Sequence, residues 1–484
     1  MRRSRSFSSL PLFLAAISLV ASCATNPATG RREIMLISEE QEIAMGREYD
    51  PPIVASIGLY PDTALQRYVQ ALGSRIAALS ERPRLPWTFR VLDDPTVNAF
   101  AVPGGFIYIT RGIMAHLDNE AQLASVIGHE IGHVTARHSA SQMSREQLAQ
   151  IGLAVGAATS ETIAKYAEPI TQGMGVLFLK YSRDDESQAD NLGLRYLRLT
   201  RHDVREMPDV FAMLAAVSGG GEGGRLPEWQ LTHPYPEDRK ASIERLNAQA
   251  PQDTAGVIVS RAPYLRLLDN VVWDADPRQG YFVGTRFLQP TMRFSLTFPD
   301  GWATKNEASS VQAMSAERDA AIQLTIAPAP TADSAQRAFV AQQGVQSGTA
   351  QRLSANGVAS ILTPFAAVAQ GDTLRGSVAF VEHGGMVFQL LGYGPTAAWA
   401  GKQAVVDRAL RSFAVLTDRN ALAVQPQRID IITLDRRSSI AELLTRRPSP
   451  LTADALALLN QVRTGEPLPA GTLLKWVVGQ PLPR

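Results

Sequence analysis

The spacing of hydrophobic positions changes character several times along the chain. An apolar stretch, Leu10 to Ala21, follows Arg2, Arg3 and Arg5. It is too short to span a bilayer comfortably and has the form of a signal-peptide core, which predicts a targeting segment over 1–22. From about Ile34 to Ala250 helical spacing prevails, with one strand-like stretch from Phe100 to Thr110. From about Gly280 the period shortens to that of strands: Met292 to Phe298 before Pro299-Asp300-Gly301-Trp302, then Ala321 to Ile326, Ser377 to Glu382 and Met386 to Leu391. Helices around Ala335 to Gln343 and Ala398 to Ser412 interleave with these strands. Ile429 to Val477 reads strand, helix, helix, strand.

The expected architecture is therefore α+β: a mainly helical domain over 23–265, an α/β sandwich over 280–417 and a small module over 425–480. With 484 residues, 45% of them hydrophobic, two or three cores are affordable. The run Ser218-Gly219-Gly220-Gly221-Glu222-Gly223-Gly224 has no side chains to pack and is expected as a surface loop inside the first domain. No later segment reads as a transmembrane helix, because the apolar run from Ile151 to Leu179 is broken by Ser160, Glu161, Lys165, Glu168 and Pro169.

Charge adds an exclusion. Lysine and arginine number 47 against 46 acidic residues, a net charge of +1, which gives no electrostatic reason to expect nucleic acid as a partner. The sole cysteine, Cys23, ends Leu19-Val20-Ala21-Ser22-Cys23, a sequence that resembles the lipobox of bacterial lipoproteins. On that resemblance Cys23 is lipidated, and Ala24 after it favours outer-membrane retention, so the body would face the periplasm on a lipid anchor. An ordinary cleaved signal, or a buried free thiol, is the alternative.

Candidate chemistry sits in one helix. Asn119 is placed to cap it, with Gln122 three residues on in the capping-box position. Leu123, Ile127, Ile131 and Val134 form one stripe, and His129 and His133 fall on roughly the opposite side. Histidines four apart are stacked neighbours whose ring nitrogens can converge on one metal ion, while Glu130 lies beside them without needing to bind it. A third ligand must come from elsewhere. In Tyr181 to Asp190, an acidic helix start capped by Ser182, Glu186 and Asp190 share a face. They are either helix-dipole carboxylates, or a metal ligand and an acceptor for a ligating imidazole.

Several separated motifs together resemble the gluzincin peptidases that include HtpX, BepA, LoiP and the CAAX prenyl proteases. They are Asn98-Ala99-Phe100-Ala101-x-Pro103-Gly104-Gly105, His129-Glu130-x-x-His133 with Arg137-His138, Ser182-Arg183-x-x-Glu186-x-x-Ala189-Asp190, and His233-Pro234 with Arg239. The tethered leader makes the chain most similar to the bacterial lipoprotein branch. The resemblance implies a zincin-type fold and one Zn2+ per chain held by His129, His133 and Glu186, with Glu130 as general base and then acid. It also implies Asp190 and His138 behind the ligands, and Asn98, Ala99, Phe100 and Ala101 on an edge strand along which an extended substrate lies. His233 and Arg239 would assist the reaction; His233 could equally occupy the open metal position as a latch. Misfolded or stalled envelope proteins are the implied substrates.

Two further resemblances concern the rest. Phe298-Pro299-x-Gly301-Trp302 and the strand order are similar to PsbP and Mog-type sandwiches. Leu458-Leu459-Asn460 with Leu468-Pro469-Ala470-Gly471-x-x-Leu474-Lys475 is similar to LysM modules, so peptidoglycan is a candidate partner and a structural cap the alternative. The two functional readings are thus an active zinc endopeptidase for envelope quality control, and a latent one acting as a chaperone or cell-wall-binding scaffold.

Overall fold

The computed structural model describes residues 23–157, 180–219, 229, 232–233, 236–369 and 372–483. The targeting segment 1–22, most of the apolar run ending at Leu179, Gly220 to Gly224 and Pro234 lie outside the described residues. The fold is mixed α/β, with a mainly helical first part and a later sheet-rich region. No helix among the described residues is long and apolar enough to cross a membrane.

The first part runs β1 (Cys23–Thr25), β2 (Arg32–Ile34), α1 (Glu39–Ile57), α2 (Thr63–Ala77), β3 (Thr88–Leu92), β4 (Ala99–Val102), β5 (Phe106–Thr110), α3 (Arg111–His116), α4 (Glu120–Thr135) and α5 (His138–Ala157). It continues with α6 (Arg183–Leu199), α7 (Glu206–Gly219), α8 (Pro236–Gln249) and α9 (Arg261–Leu267). Its core extends from Tyr60 through Tyr264, Leu268 and Val272. Helix α4 lies at the centre, with every residue from Ala121 to Thr135 buried. The apolar stripe on it is therefore one contact among several, and the histidine side is covered too.

Sequence and structure differ on the edge strand. The stretch Phe100 to Thr110, expected as one strand, is a hairpin, because Pro103 supplies no amide donor and Gly104 and Gly105 turn the chain at φ 84° and 97°. The order is β3-β5-β4, with β3 parallel and β4 antiparallel to β5, so β5 is central and β4 is the hairpin strand with an open edge; the outer side of β3 is met by Tyr60 N–H and by the side chains of Gln66 and Gln70. Thr110 N–H donates to Asn98 O at 3.1 Å and Ala99 stands opposite Ile109. In an antiparallel ladder that register turns the N–H and C=O groups of Ala99 and Ala101 away from β5, toward the free edge.

The sheet-rich region comprises β6 (Tyr281–Val283), β7 (Arg286–Gln289), β8 (Phe294–Thr297), β9 (Ala303–Asn306), β10 (Val311–Met314), β11 (Ala321–Ala327), α10 (Ala332–Val340), β12 (Val345–Ser347), β13 (Gln351–Ala355), β14 (Val358–Ala369), β15 (Asp372–His383), β16 (Met386–Pro395), α11 (Thr396–Leu410) and β17 (Ala414–Val415). An eight-stranded sheet ordered β12-β14-β15-β16-β11-β10-β9, with β13 on β14, stands beside a four-stranded sheet ordered β17-β8-β7-β6. Periodicity missed the long strand β14, whose small residues and Pro364 hide its alternation.

The last unit has the order read from the sequence: β18 (Arg428–Thr433), α12 (Ile440–Arg446), α13 (Ala453–Leu459) and β19 (Leu473–Val478). It is docked on the first part through Lys475, whose buried ammonium donates to the carbonyls of Ala115 (3.0 Å) and Leu117 (2.8 Å) at the end of α3. Burial pushes this ammonium down to about 8, and Asp118 opposes the shift.

Candidate metal centre

The local folding of α4 follows its cap. Asn119 accepts from Gln122 N–H at 2.9 Å, and the Gln122 side chain reaches back to Asp118 N–H at 2.7 Å, one residue beyond the capping-box position expected. Such a cap contributes about 1 kcal/mol. At the other end Arg137 takes a left-handed φ of 61°, held by its bonds to Glu42 (2.7 Å) and the Ile37 carbonyl (2.7 Å). That turn starts α5 at His138 and folds its ring back onto His133.

Helix α6, capped by Ser182 and Asp185 as a capping box, crosses α4 at backbone contact. A Cβ on Gly132 would lie 2.9 Å from the Ala189 carbonyl oxygen, and one on Gly128 would lie 3.4 Å from Gly193 Cα. Only small residues permit this approach, and it brings Glu186 to the two histidines.

His129, His133, Glu186 and His233 each offer a donor atom, all within 4.8 Å of one another. A tetrahedral zinc site spaces its donors about 3.4 Å apart. Here His129 Nε2 is 3.4 Å from His233 Nδ1 and 2.9 Å from His133 Nε2; Glu186 lies 3.6 Å from His129 Nε2, 3.6 Å from His133 Nε2 and 2.9 Å from His233 Nδ1. Three imidazoles and a carboxylate at these separations fit a zinc ion. Charge agrees: Glu130, Glu186 and Asp190 outnumber the one guanidinium, Arg239, which favours a dication.

The groups behind the donors fix which nitrogens face inward. Asp190 Oδ1 is 2.9 Å from His129 Nδ1, so that nitrogen carries the proton and Nε2 keeps its lone pair for the centre. His138 Nε2 donates to Gln188 Oε1 at 2.6 Å, leaving its Nδ1 to accept from His133 Nδ1 at 2.9 Å. His133 Nε2 is thereby also a free acceptor. Burial, with the neighbouring His129 in support, holds His133 well below the usual histidine range, which keeps it neutral.

Arg239 joins the carboxylates. Its Nε and Nη2 bond Asp190 at 2.8 and 2.7 Å, and Nη1 approaches Glu186 Oε2 at 2.5 Å as an ion pair whose angle falls short of a hydrogen bond. Its charge centre lies 4.7 Å over the Phe211 ring. Burial is the largest influence and would raise both carboxyls, yet Arg239 together with the neighbouring imidazoles (His233 and His129 at Glu186, His129 at Asp190) outweighs it and both end lowered. Burial likewise opposes a charged His233, but Glu186 and Glu130 raise it on balance.

Glu130 stands apart. Its Oε1 is 3.7 Å from His233 Nε2, while its buried Oε2 and His233 Nε2 have no hydrogen-bond partner. Ala99 lines an apolar cavity shared with His129, Glu130, Phe211 and Trp229, whereas Asn98 and Phe100 face a second groove; Ala101 is buried. Cys23 heads β1, paired with Ile34 of β2. Two contributors were not singled out from sequence: Tyr181, stacked on His133 at 3.9 Å between ring centres, and Phe211. Tyr181 immediately precedes the Ser182 cap, which is the only local hint of it.

Residues 63–247 match Peptidase family M48. The chain is 32% identical over 241 residues to the beta-barrel assembly-enhancing protease of Escherichia coli (strain K12), covering 48% of this chain and 49% of that one. It is 28% identical over 254 residues to the mitochondrial metalloendopeptidase OMA1 of Schizosaccharomyces pombe, covering 51% and 74%. The chain thus spans about half the length of its bacterial relatives. Among solved structures, the cyanobacterial PsbP of Synechocystis sp. PCC 6803 covers 28% of this chain and 94% of its own, at 15% identity and a TM-score of 0.23.

Proposed function

With a peptidase family M48 domain over residues 63–247 as the premise, we propose that the chain is a zinc-dependent metalloendopeptidase acting on misfolded or stalled envelope proteins. One observation carries this reading: His129, His133 and Glu186 converge while the adjacent Glu130 keeps a buried oxygen without a partner. Bound zinc supplies Lewis-acid polarisation of the scissile carbonyl and lowers the pKa of water. Glu130 accepts the proton of the attacking water and delivers it to the leaving amine. Asp190 and His138 hold the ligating rings in their inward tautomers. Arg239 sets the charge of Glu186. The free edge of β4, through Ala99 and Ala101, aligns an extended substrate by main-chain hydrogen bonds, a mode that recognises unfolded backbone with little regard to sequence.

His233 favours a second, latent state of the same enzyme. Its Nδ1 stands with the three ligands, where substrate and water would need access. Chelation should abolish cleavage of an unfolded protein and zinc should restore it; Glu186→Ala should bind less zinc and cut at least about tenfold more slowly. In the same assay His233→Ala raises activity if the ring is a latch and lowers it if the ring stabilises the oxyanion. Zinc-independent cleavage would overturn the reading, and an unchanged His233→Ala would remove that residue from it.

The anchor belongs to the same proposal: Cys23 carries lipid and holds the body at the outer membrane, facing the periplasm. Cys23→Ser is expected to move the protein from the membrane to the soluble fraction, and membrane retention would contradict the anchor. We read 280–417 as a PsbP or Mog-like sandwich and 425–480 as a LysM-like module with peptidoglycan as its candidate ligand. The strand-helix-helix-strand order supports the latter.

A further inference from the structure

A groove of about 470 Å³ runs between the first part and the sheet-rich region. From the first part it takes Asp94, Asn98, Phe100 and Thr232; from the other side come Asn306 and Glu307. The walls are tied where Ala308 N–H donates to the Ser56 carbonyl at 2.9 Å. Two features connect the groove to the metal centre. Thr232 precedes His233 directly in sequence. And β4 with the residue before it alternates between the cavities: Asn98 and Phe100 line the groove, whereas Ala99 lines the cavity that holds His129 and Glu130.

Side chains of paired strands point to the same face at opposed positions. A polypeptide added to the free edge of β4 therefore sends the residues opposite Ala99 and Ala101 toward the metal helix. The alternate residues, opposite Asn98 and Phe100, go into the groove.

The groove walls are rich in acceptors. Asn98 Oδ1 and Asn306 Oδ1 are buried without partners. Of the carboxylates, Asp93 is paired with Arg111 at 2.7 Å, Glu307 with Lys305 at 2.6 Å and Asp276 with Arg278. Asp94 has no ion pair among the described residues; one of its oxygens accepts from Thr96 N–H at 2.8 Å. It is the surplus negative charge.

We propose that this groove is a subsite of the substrate cleft, walled jointly by the metal domain and the sheet-rich region, which takes alternate side chains of an extended polypeptide and selects lysine or arginine through Asp94. The inference rests on the endopeptidase reading for its direction, and its test reads binding so that the two can fail separately. The probes are a fluorescein-labelled unstructured peptide with lysine at alternate positions and its glutamate counterpart. Affinities are measured by anisotropy on the full-length Glu130→Gln chain, which leaves them uncut.

The lysine peptide should bind about tenfold more tightly. Asp94→Lys should erase or reverse that preference. Asp94→Asn, which keeps the acceptor for Thr96, should reduce it, and provides the arm that holds if the lysine variant folds poorly. Ala275→Trp, an exposed position on the groove wall, should weaken both peptides. Equal affinities in the parent chain, or a preference that survives both Asp94 variants, would overturn the proposal. Discrimination in a chain that shows no zinc-dependent cleavage would leave the subsite standing and remove the endopeptidase; cleavage without discrimination would do the reverse.

Discussion

Glu130→Gln is expected to lower cleavage of an unfolded protein by about 10²- to 10⁴-fold, the range attributed to a positioned general base, with zinc still bound. The substitution keeps the shape of a side chain that is 2% exposed, so the packing of α4 should survive it. None of the donor set is touched, because Glu130 is not among the converging atoms of His129, His133, Glu186 and His233. Zinc content measured beside activity separates the two roles. Undiminished cleavage would sink the proton-transfer role, and loss of zinc together with activity would show that Glu130 acts through the site's assembly instead.

Arg239→Ala should give the largest loss of stability of any single change at the centre. It strips the guanidinium from Asp190 and Glu186, both at least 97% buried, and breaking a buried pair in this way costs about 3–5 kcal/mol. For a domain of this size that corresponds to roughly 10 °C in Tm. The loss should be greater in the zinc-free protein, where only the neighbouring imidazoles, His233 foremost, remain to offset the charge of Glu186, than in the zinc-loaded one. Arg239→Lys should recover only part of it, since one ammonium cannot reproduce the fork that spans both carboxylates. Thermal unfolding with and without zinc measures each case. Equal Tm values for wild type and Arg239→Ala would remove the guanidinium from the electrostatic account.

Much of this site was legible in sequence, and the legible parts are local. Asn119 and Ser182 announce helix starts because a cap bonds to a backbone amide within the same turn. His129 and His133 announce a pair of donors for one ion because positions four apart on a helix are adjacent by geometry. Glu186 and Asp190 were identifiable as a pair on one face, but spacing left open whether they served the helix dipole or the metal. Resemblance to known peptidases pointed to the metal, and the crossing of α6 over α4 supplies the contact.

The edge strand shows the converse. Alternating apolar residues from Phe100 to Thr110 read as one strand, whereas Pro103-Gly104-Gly105 within it turns the chain into a hairpin, with both glycines at positive φ. Tyr181 had no signal beyond its place before the Ser182 cap and Phe211 had none, since stacking on His133 or beneath Arg239 depends on which surfaces meet.

The sequence by itself determined the kinds of candidate donor, their spacing on α4, the ends of the helices that carry them and the order of elements in the last unit. These follow from backbone periodicity and capping, which act within a few residues. Tertiary structure alone decided that His233, 104 residues beyond His129, stands at its ring, that Gly128, Gly132 and Gly193 let two helices touch so that Glu186 reaches the centre, and that the sheet-rich region closes a groove over β4. Those outcomes depend on which distant surfaces exclude water together, and no local pattern encodes that choice.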